Sequence, residues 1–273
     1  MDNSVVVLNV DDSVSTQTGL VQAFKPQVVD LYAFHSSARF WLTQRTMEQM
    51  NTAMGPHTKP ALTFLGSRDF HHLTALQLKR YIHPITLVVF DDYIDWEFTY
   101  PRIAARGWLN AVLGQVNVVQ VIICGIYSQS VLGPWLSASK NRLLKKGRVK
   151  VFDVGHMPKE NEWPGLIPSD DVYISLDKSC LKADEHVGNG IGGQCALEDV
   201  LKAISTLREK KNILGVDVCG DFSLPVTKNP FKAIYSKYKY PKRLLKAQKS
   251  PEEIRSINER VNVRIAQALI RLS

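Results

Sequence analysis

Two short segments of this chain run through apolar residues and end in aspartate. Residues 88–95 read VVFDDYID, and residues 172–179 read VYISLDKS. Continuous β-branched and aromatic runs of this length are typical of strands that are buried on both faces, as in parallel sheets covered by helices. Open parallel sheets place their binding sites at the carboxyl ends of their strands. The two segments therefore predict an α/β fold that gathers carboxylates along one sheet edge.

Strand-like and helix-like segments alternate along the rest of the chain. Strands are predicted at residues 5–10, 28–34, 61–65, 85–90, 118–124, 149–154, 172–176 and 213–218. Helices are predicted from the second strand to about residue 50, then at 72–81, 104–113, 197–207 and from 251 onward. Residues 155–168 and 224–241 are predicted to be loops. Strands separated by helices imply a parallel sheet with right-handed crossovers, so we expect one domain over residues 1–273.

The last helix has a distinct start signal. Ser250 can cap it, Pro251 suits its first position, and Glu253 completes a capping box.

Composition narrows the class of protein. The chain has 273 residues, of which 45% are apolar and 22% charged, as in an ordinary globular protein. Its cysteines form no closely spaced pair, which favours core thiols and a reducing compartment. We see no signal peptide and no membrane-spanning apolar run, so we expect a cytoplasmic protein without a membrane partner. These cysteines are Cys124, Cys180, Cys195 and Cys219.

The net charge of +8 is concentrated in two basic segments, residues 140–148 and 237–243. The second segment alternates tyrosines with cations, a combination that can stack on bases and contact phosphates. Such segments are more often solvated helix ends and surface loops. Nucleic-acid binding is therefore an alternative function and not the expected one.

Ionisable side chains follow several of the predicted strands. Alone, an aspartate after a strand is more often a helix N-cap, and a histidine at a helix start is more often a cap or surface residue. Their repetition at successive strand ends instead predicts a metal site, because gathered carboxylates require neutralisation and a divalent ion provides it. The residues concerned are His71, His72, Asp91, Asp95, Asp177, Asp217 and Asp221.

At these motifs the chain resembles the arginase and agmatinase group, the ureohydrolases, whose fold is shared with histone deacetylases. The family's histidine turn, Asp-x-His-x-Asp motif, Ser-x-Asp-x-Asp motif and final aspartate strand have counterparts at residues 66–74, 91–95, 175–179 and 215–218. The resemblance implies an arginase/deacetylase-like α/β fold, with three α/β/α layers around a central, mostly parallel sheet. It also suggests a homo-oligomer.

The resemblance implies a first metal site formed by His71, Asp91, Asp95 and Asp177. His72 replaces His71 as the ligand if the turn is shifted by one residue. All four ligand types are present. We therefore expect one divalent metal ion, with manganese as the first choice, or none.

A second metal of the family would share Asp91 and Asp177 and would need two further ligands, which this chain lacks. The corresponding positions hold Tyr93 and Ser179. A phenol that titrates near about 10 and a neutral hydroxyl are both poor ligands for a dication at neutral pH. The second site therefore lacks both of the ligands that it would not share with the first metal.

These departures argue against arginase or agmatinase activity. One metal surrounded by carboxylates acidifies water less than two metals do, and the glutamate that grips the guanidinium in arginases would fall at Gly220. We expect a non-catalytic or altered-function relative, a pseudoenzyme that binds a small polar ligand. The alternative is an active one-metal hydrolase of non-peptide C–N bonds. Candidate catalytic residues are His72, Tyr93 and Asp221, and candidate substrate-binding residues are Trp96, Trp108 and Asp217.

Overall fold

The computed structural model describes residues 5–55, 60–97, 101–127, 138–189, 192–240 and 249–270, with residues 138–141 as backbone only. Its ten strands are β1 (Val5–Asn9), β2 (Gln27–Asp30), β3 (Trp41–Leu42), β4 (Leu62–Gly66), β5 (Ile85–Phe90), β6 (Ile103–Ala104), β7 (Val118–Ile126), β8 (Val149–Asp153), β9 (Asp171–Asp177) and β10 (Asn212–Cys219). Eight of them form one sheet in the order β2-β1-β4-β10-β9-β5-β7-β8, in which all neighbours are parallel. β3 and β6 form a small antiparallel ribbon.

Helices cover both faces of the sheet. They are α1 (Thr18–Phe24), α2 (His35–Ala38), α3 (Gln44–Met54), α4 (Thr74–Leu78), α5 (Trp108–Leu113), α6 (Ala138–Lys145), α7 (Trp163–Leu166), α8 (Leu197–Lys210), α9 (Pro230–Lys239) and α10 (Pro251–Ile270). Alternate residues of β1 show the layering: Val5 and Val7 pack with α1, α8 and α10, whereas Val6 and Leu8 pack with α3. The predicted three-layer α/β/α architecture with a parallel sheet is confirmed.

Most predicted strands are present, and the differences lie in the connections. The strand predicted at residues 28–34 ends at Asp30, and a 3-10 turn at Tyr32–Phe34 follows. The helix predicted up to residue 50 is divided into α2, β3 and α3. The helix predicted at residues 72–81 begins earlier, as a 3-10 turn at Arg68–Leu73, and continues as the short α4. The helix predicted at 104–113 starts only at Trp108, since residues 103 and 104 pair with β3.

The loop predicted at residues 224–241 is wrong, because it contains α9. The side chain of Asn229 accepts hydrogen bonds from the backbone N–H groups of Phe231 and Lys232, and Pro230 occupies the first turn. This asparagine–proline start is a helix signal that outweighed the loop-like composition around it. Residues 155–168 likewise contain the short α7.

The capping box predicted for α10 is confirmed. The backbone N–H of Glu253 donates to Ser250 Oγ at 3.2 Å, and the backbone N–H of Ser250 donates to Glu253 Oε2 at 2.6 Å. No helix in the described ranges is both long and apolar enough to cross a membrane.

The centre of the sheet defines where the site lies. Strands β4, β10, β9 and β5 are consecutive neighbours, so their carboxyl ends meet at one edge. At the end of β4, Gly66 adopts a φ of +81°, and a Cβ there would lie 2.5 Å from Asp11 Oδ1. Only glycine suits this position, and the turn it permits carries residues 68–73 over the same edge.

Candidate metal centre

The four predicted ligands converge at this sheet edge. His71 lies in the 3-10 turn after β4, Asp91 directly after β5, Asp95 in the following loop, and Asp177 at the end of β9. His71 Nδ1 is 3.5 Å from Asp91 Oδ2, 3.5 Å from Asp95 Oδ2 and 3.7 Å from Asp177 Oδ2. All four side chains are buried. One nitrogen and three carboxylate groups therefore surround a single point.

Four polar atoms of this cluster lack a hydrogen-bond partner in the described part of the chain. His71 Nδ1, Asp91 Oδ2, Asp95 Oδ1 and Asp177 Oδ2 are buried and have no hydrogen-bond partner there. Such atoms are rare in folded proteins, because an unpaired buried polar group is costly. Burial and the neighbouring carboxylates of Asp95 and Asp177 also raise the pKa of Asp91. A divalent ion relieves both penalties, so the donor set fits a dication.

His71 is held in the tautomer that a metal ligand requires. Ser175 Oγ donates to Asp217 Oδ1 at 2.6 Å, so it can only accept from His71 Nε2, which is 2.9 Å away. A proton therefore lies on Nε2, and Nδ1 is the ring nitrogen that faces the carboxylates and could bind a metal ion. Burial raises the pKa of Asp217 to about 6. Asp217, a candidate substrate-binding residue, thus accepts a hydrogen bond from Ser175, the residue that orients His71.

Trp108 also contacts the ligands. Its ring lies 4.6 Å from the His71 ring, centroid to centroid, and its Nε1 donates to Asp95 Oδ2 at 3.3 Å. Trp96, the other candidate aromatic residue, is nearly buried and packs in the same apolar cluster as Trp108. Trp108 therefore packs against His71 and Asp95, and Trp96 belongs to the apolar cluster around it.

The neighbouring histidine, His72, is buried in a different environment. Burial and the charge of Lys232 lower the pKa of His72 to about 3, which keeps its ring neutral. Among the described residues, the groups of side chains whose atoms lie close enough together to hold a metal ion include His71 and not His72. The geometry thus favours His71 as the ligand.

Asp221 belongs to a separate buried network. Its carboxylate lies 2.8 Å from Lys178 Nζ and accepts hydrogen bonds from Gln17 at 2.8 Å and Asn262 at 3.1 Å. Lys178 also donates to Asn262 Oδ1 at 2.8 Å. These bonds tie the end of β10 to α10 and engage the carboxylate that we considered for catalysis.

The two positions that depart from the family pattern lie beside the cluster. Ser179 Oγ donates to Asp92 Oδ1 at 2.8 Å, and the Ser179 backbone N–H donates to Asp177 Oδ1 at 2.8 Å. The Tyr93 ring lies under the guanidinium of Arg106, whose Cζ is 4.4 Å from the ring centroid. Both side chains therefore have partners of their own.

A cavity of about 190 Å³ opens at this point of the surface. Its lining mixes cations with carboxylates and includes the ligand Asp95, so it gives a small polar molecule access to the cluster. Arg106 Nε is paired with Glu97 at 2.9 Å, and Lys239 with Asp69 at 3.0 Å. The lining residues are Arg68, Asp92, Tyr93, Asp95, Ala105, Arg106 and Lys239.

Sequence reasoning missed one residue near the cluster. His186 is buried, and neither of its ring nitrogens has a hydrogen-bond partner among the described residues. Burial and Lys178 lower the pKa of His186 to about 3 against the opposing effect of Asp177. The glycine-rich run HVGNGIGG that begins at His186 was the available signal. Cys219, which the sequence predicts to be a core thiol, has its sulfur within 4.8 Å of potential ligand atoms of both His71 and Asp177.

Part of the basic charge is used inside the fold. Arg148 donates to the backbone oxygen of Val118 at 2.7 Å, and Tyr240 donates to Asp69 Oδ1 at 2.7 Å. The side chains of residues 140–141 and all of residues 241–243 lie outside the described part of the two basic segments.

Sequence comparisons find little. No protein-family model matches the chain. An uncharacterised protein of Thermotoga maritima is 28% identical over 165 residues, which cover 59% of this chain. The match spans 58% of that protein's length.

Structural comparisons are more informative. Arginase from Entamoeba histolytica, solved with L-ornithine, is similar with a TM-score of 0.60 at 11% identity, over 99% of each chain. A hypothetical agmatinase from Burkholderia thailandensis is similar with a TM-score of 0.60 at 15% identity, covering 98% of this chain and 85% of its own. Formimidoylglutamase from Bacillus subtilis reaches 0.57 at 14% identity, over 96% and 87%.

These likenesses define the class of fold: a three-layer α/β/α architecture around a parallel sheet. In particular, the chain has the arginase-like fold of the ureohydrolases. It combines that fold with a His/Asp group that could hold a metal ion.

Proposed function

We propose that this chain is a divergent relative of the ureohydrolases that binds one manganese ion through His71, Asp91, Asp95 and Asp177 and does not hydrolyse arginine or agmatine. The observation that carries the proposal is the convergence of three buried carboxylates on His71 Nδ1, at 3.5, 3.5 and 3.7 Å, in a cluster that contains several buried polar atoms without a hydrogen-bond partner in the described structure.

The residues around the ligands support this role. Ser175 and Asp217 hold His71 with its Nδ1 lone pair toward the carboxylates, and Trp108 holds Asp95 while excluding water from one side. A bound dication would neutralise the carboxylates and supply a Lewis acid. The cavity at Asp95 is large enough for a small polar ligand.

Three features oppose the hydrolysis of guanidino substrates. Tyr93 and Ser179 replace ligands of a second metal and have partners of their own. The carboxylate of Asp221, the residue that follows Gly220 in the chain, is paired with Lys178. The cavity also carries the guanidinium groups of two arginines, which repel a cationic substrate.

One observation favours a second candidate function, a one-metal hydrolase of non-peptide C–N bonds. The cavity is lined by Asp95, so a small polar substrate could reach a metal ion held by this carboxylate. A homo-oligomeric state and a cytoplasmic location belong to the main proposal, and nucleic-acid binding stays an alternative.

Metal analysis tests the main proposal. Protein purified without chelator should contain one manganese ion per chain by mass spectrometry, and zero or two ions would contradict the proposal. Asp177→Asn should lose the metal. Asp171→Asn is a matched control, because Asp171 lies at the opposite end of the same strand and should leave the metal in place.

Urea assays test the absence of the family activity. With manganese added, arginine and agmatine should release no urea above the rate without protein. Sustained urea release that Asp177→Asn abolishes would contradict the proposal.

A further inference from the structure

Two carboxylates of the candidate metal centre each lie close to both His71 and Arg68. Asp91 Oδ2 points toward His71, while Asp91 Oδ1 lies 3.5 Å from Arg68 Nη2. Asp177 Oδ2 lies 3.7 Å from His71 Nδ1 and 3.3 Å from Arg68 Nε. Asp91 and Asp177 are therefore shared between the metal-ligand cluster and a guanidinium group on its other side.

Arg68 is held in this place by a third carboxylate. Its Nη2 donates to Asp92 Oδ1 at 3.1 Å, and Ser179 donates to the same oxygen at 2.8 Å. The Arg68 side chain is only 16% exposed, and Asp91 and Asp177 are almost fully buried. Burial alone would lower the pKa of Arg68. The negative charges of Asp177, Asp92 and Asp91 have the larger effect and raise this pKa. The guanidinium is thus a permanent cation at this position.

We propose that Arg68 is an internal cation that takes the place of a second metal ion, so that the centre is locked in a one-metal form. This inference rests on the proposed single metal. It accounts for the residues at positions 93 and 179: a guanidinium donates hydrogen bonds to carboxylates and needs no imidazole at position 93. Asp92 supplies the third carboxylate, so none is needed at position 179.

The charges support this assignment. The candidate ligands Asp91, Asp95 and Asp177, together with Asp92, would carry four negative charges when all are ionised, twice the charge of one divalent ion. Arg68 offsets part of the remainder, as a second dication would. Unlike a metal ion, a guanidinium cannot coordinate water or act as a Lewis acid, so the substitution keeps the electrostatic balance and removes one source of catalysis.

Replacement of Arg68 tests the inference through metal counting. In Arg68→Met, the oxygens of Asp91, Asp92 and Asp177 lose their cation, so manganese-loaded protein should contain two ions per chain. Wild type and the control Arg68→Lys should each contain one. Electron paramagnetic resonance should show spin coupling between two manganese ions only in Arg68→Met. A folded Arg68→Met variant that binds one ion would overturn the inference.

Arg68→Met could fail to fold, and Ser179→Asp provides an independent test. This change adds a carboxylate beside Asp92 while Arg68 stays in place, so the variant should still bind one ion. Two ions in Ser179→Asp would overturn the inference, because Arg68 would not be blocking the position. A wild-type protein without metal would instead refute the proposed function, which separates the two failures.

Discussion

Ser175 connects the histidine ligand to a buried carboxylate, and its replacement should weaken metal binding. Its hydroxyl is fully buried, accepts from His71 Nε2 at 2.9 Å and donates to Asp217 Oδ1 at 2.6 Å. In Ser175→Ala both bonds are lost, so neither the tautomer nor the ring orientation of His71 is enforced.

The size of the effect follows from these two bonds. Losing a partner that orients a metal-bound histidine typically lowers metal affinity about 10- to 100-fold. That range corresponds to about 1.4–2.7 kcal/mol of binding free energy. The metal-free protein should also lose unfolding free energy, because each buried polar group left unpaired costs about 1–3 kcal/mol.

Calorimetric titration of chelator-stripped protein with manganese measures the affinity, and urea unfolding with chelator present measures the stability. Ser169→Ala is the matched control. Ser169 is a nearly buried serine before the start of β9, with bonds to Thr86 Oγ1 at 2.7 Å and to the Asp171 backbone oxygen at 2.7 Å. The Ser169→Ala variant should have a lower free energy of unfolding but the same manganese affinity as the wild type. Unchanged affinity in Ser175→Ala, or an equal loss in Ser169→Ala, would refute the reasoning.

Three further variants probe the surroundings of the site. Lys178→Met leaves Asp221 as an unpaired buried charge and should lower the unfolding free energy in urea by about 3–5 kcal/mol without changing the metal count; a loss below about 1 kcal/mol would contradict this. Cys219→Ser should lower the affinity for zinc relative to manganese, because sulfur suits zinc; a competition titration with equal losses for both metals would count against it. Trp108→Phe removes the bond to Asp95 and should raise the manganese dissociation constant in calorimetry, and an unchanged constant would show that the bond does not support the ligand.

The aspartates at the strand ends could be predicted because each follows a continuous apolar run. The runs before Asp91 and Asp177 leave a buried parallel strand as the simplest structure, and parallel strands end at the same edge. The choice between His71 and His72 could not be made in this way. The two residues lie in a 3-10 turn, which has no hydrophobic period to show which side chain faces the sheet edge.

Long-range contacts were not predictable from local pattern. Asp221 looked like a catalytic candidate because it follows a strand, but its partners Lys178 and Asn262 come from distant parts of the chain. No feature of the sequence pattern distinguished Arg68. Its position between Asp91 and Asp177 depends on how the turn after β4 folds back over two other strands, which only the tertiary structure shows.

Anomalous diffraction tests the central claim most directly. Data collected on both sides of the manganese absorption edge, from crystals grown without chelator, would locate each bound ion. We predict one peak per chain, bordered by His71 and the carboxylates of Asp91, Asp95 and Asp177, with the Arg68 side chain beyond them. Two peaks, or no peak at this cluster, would contradict the account.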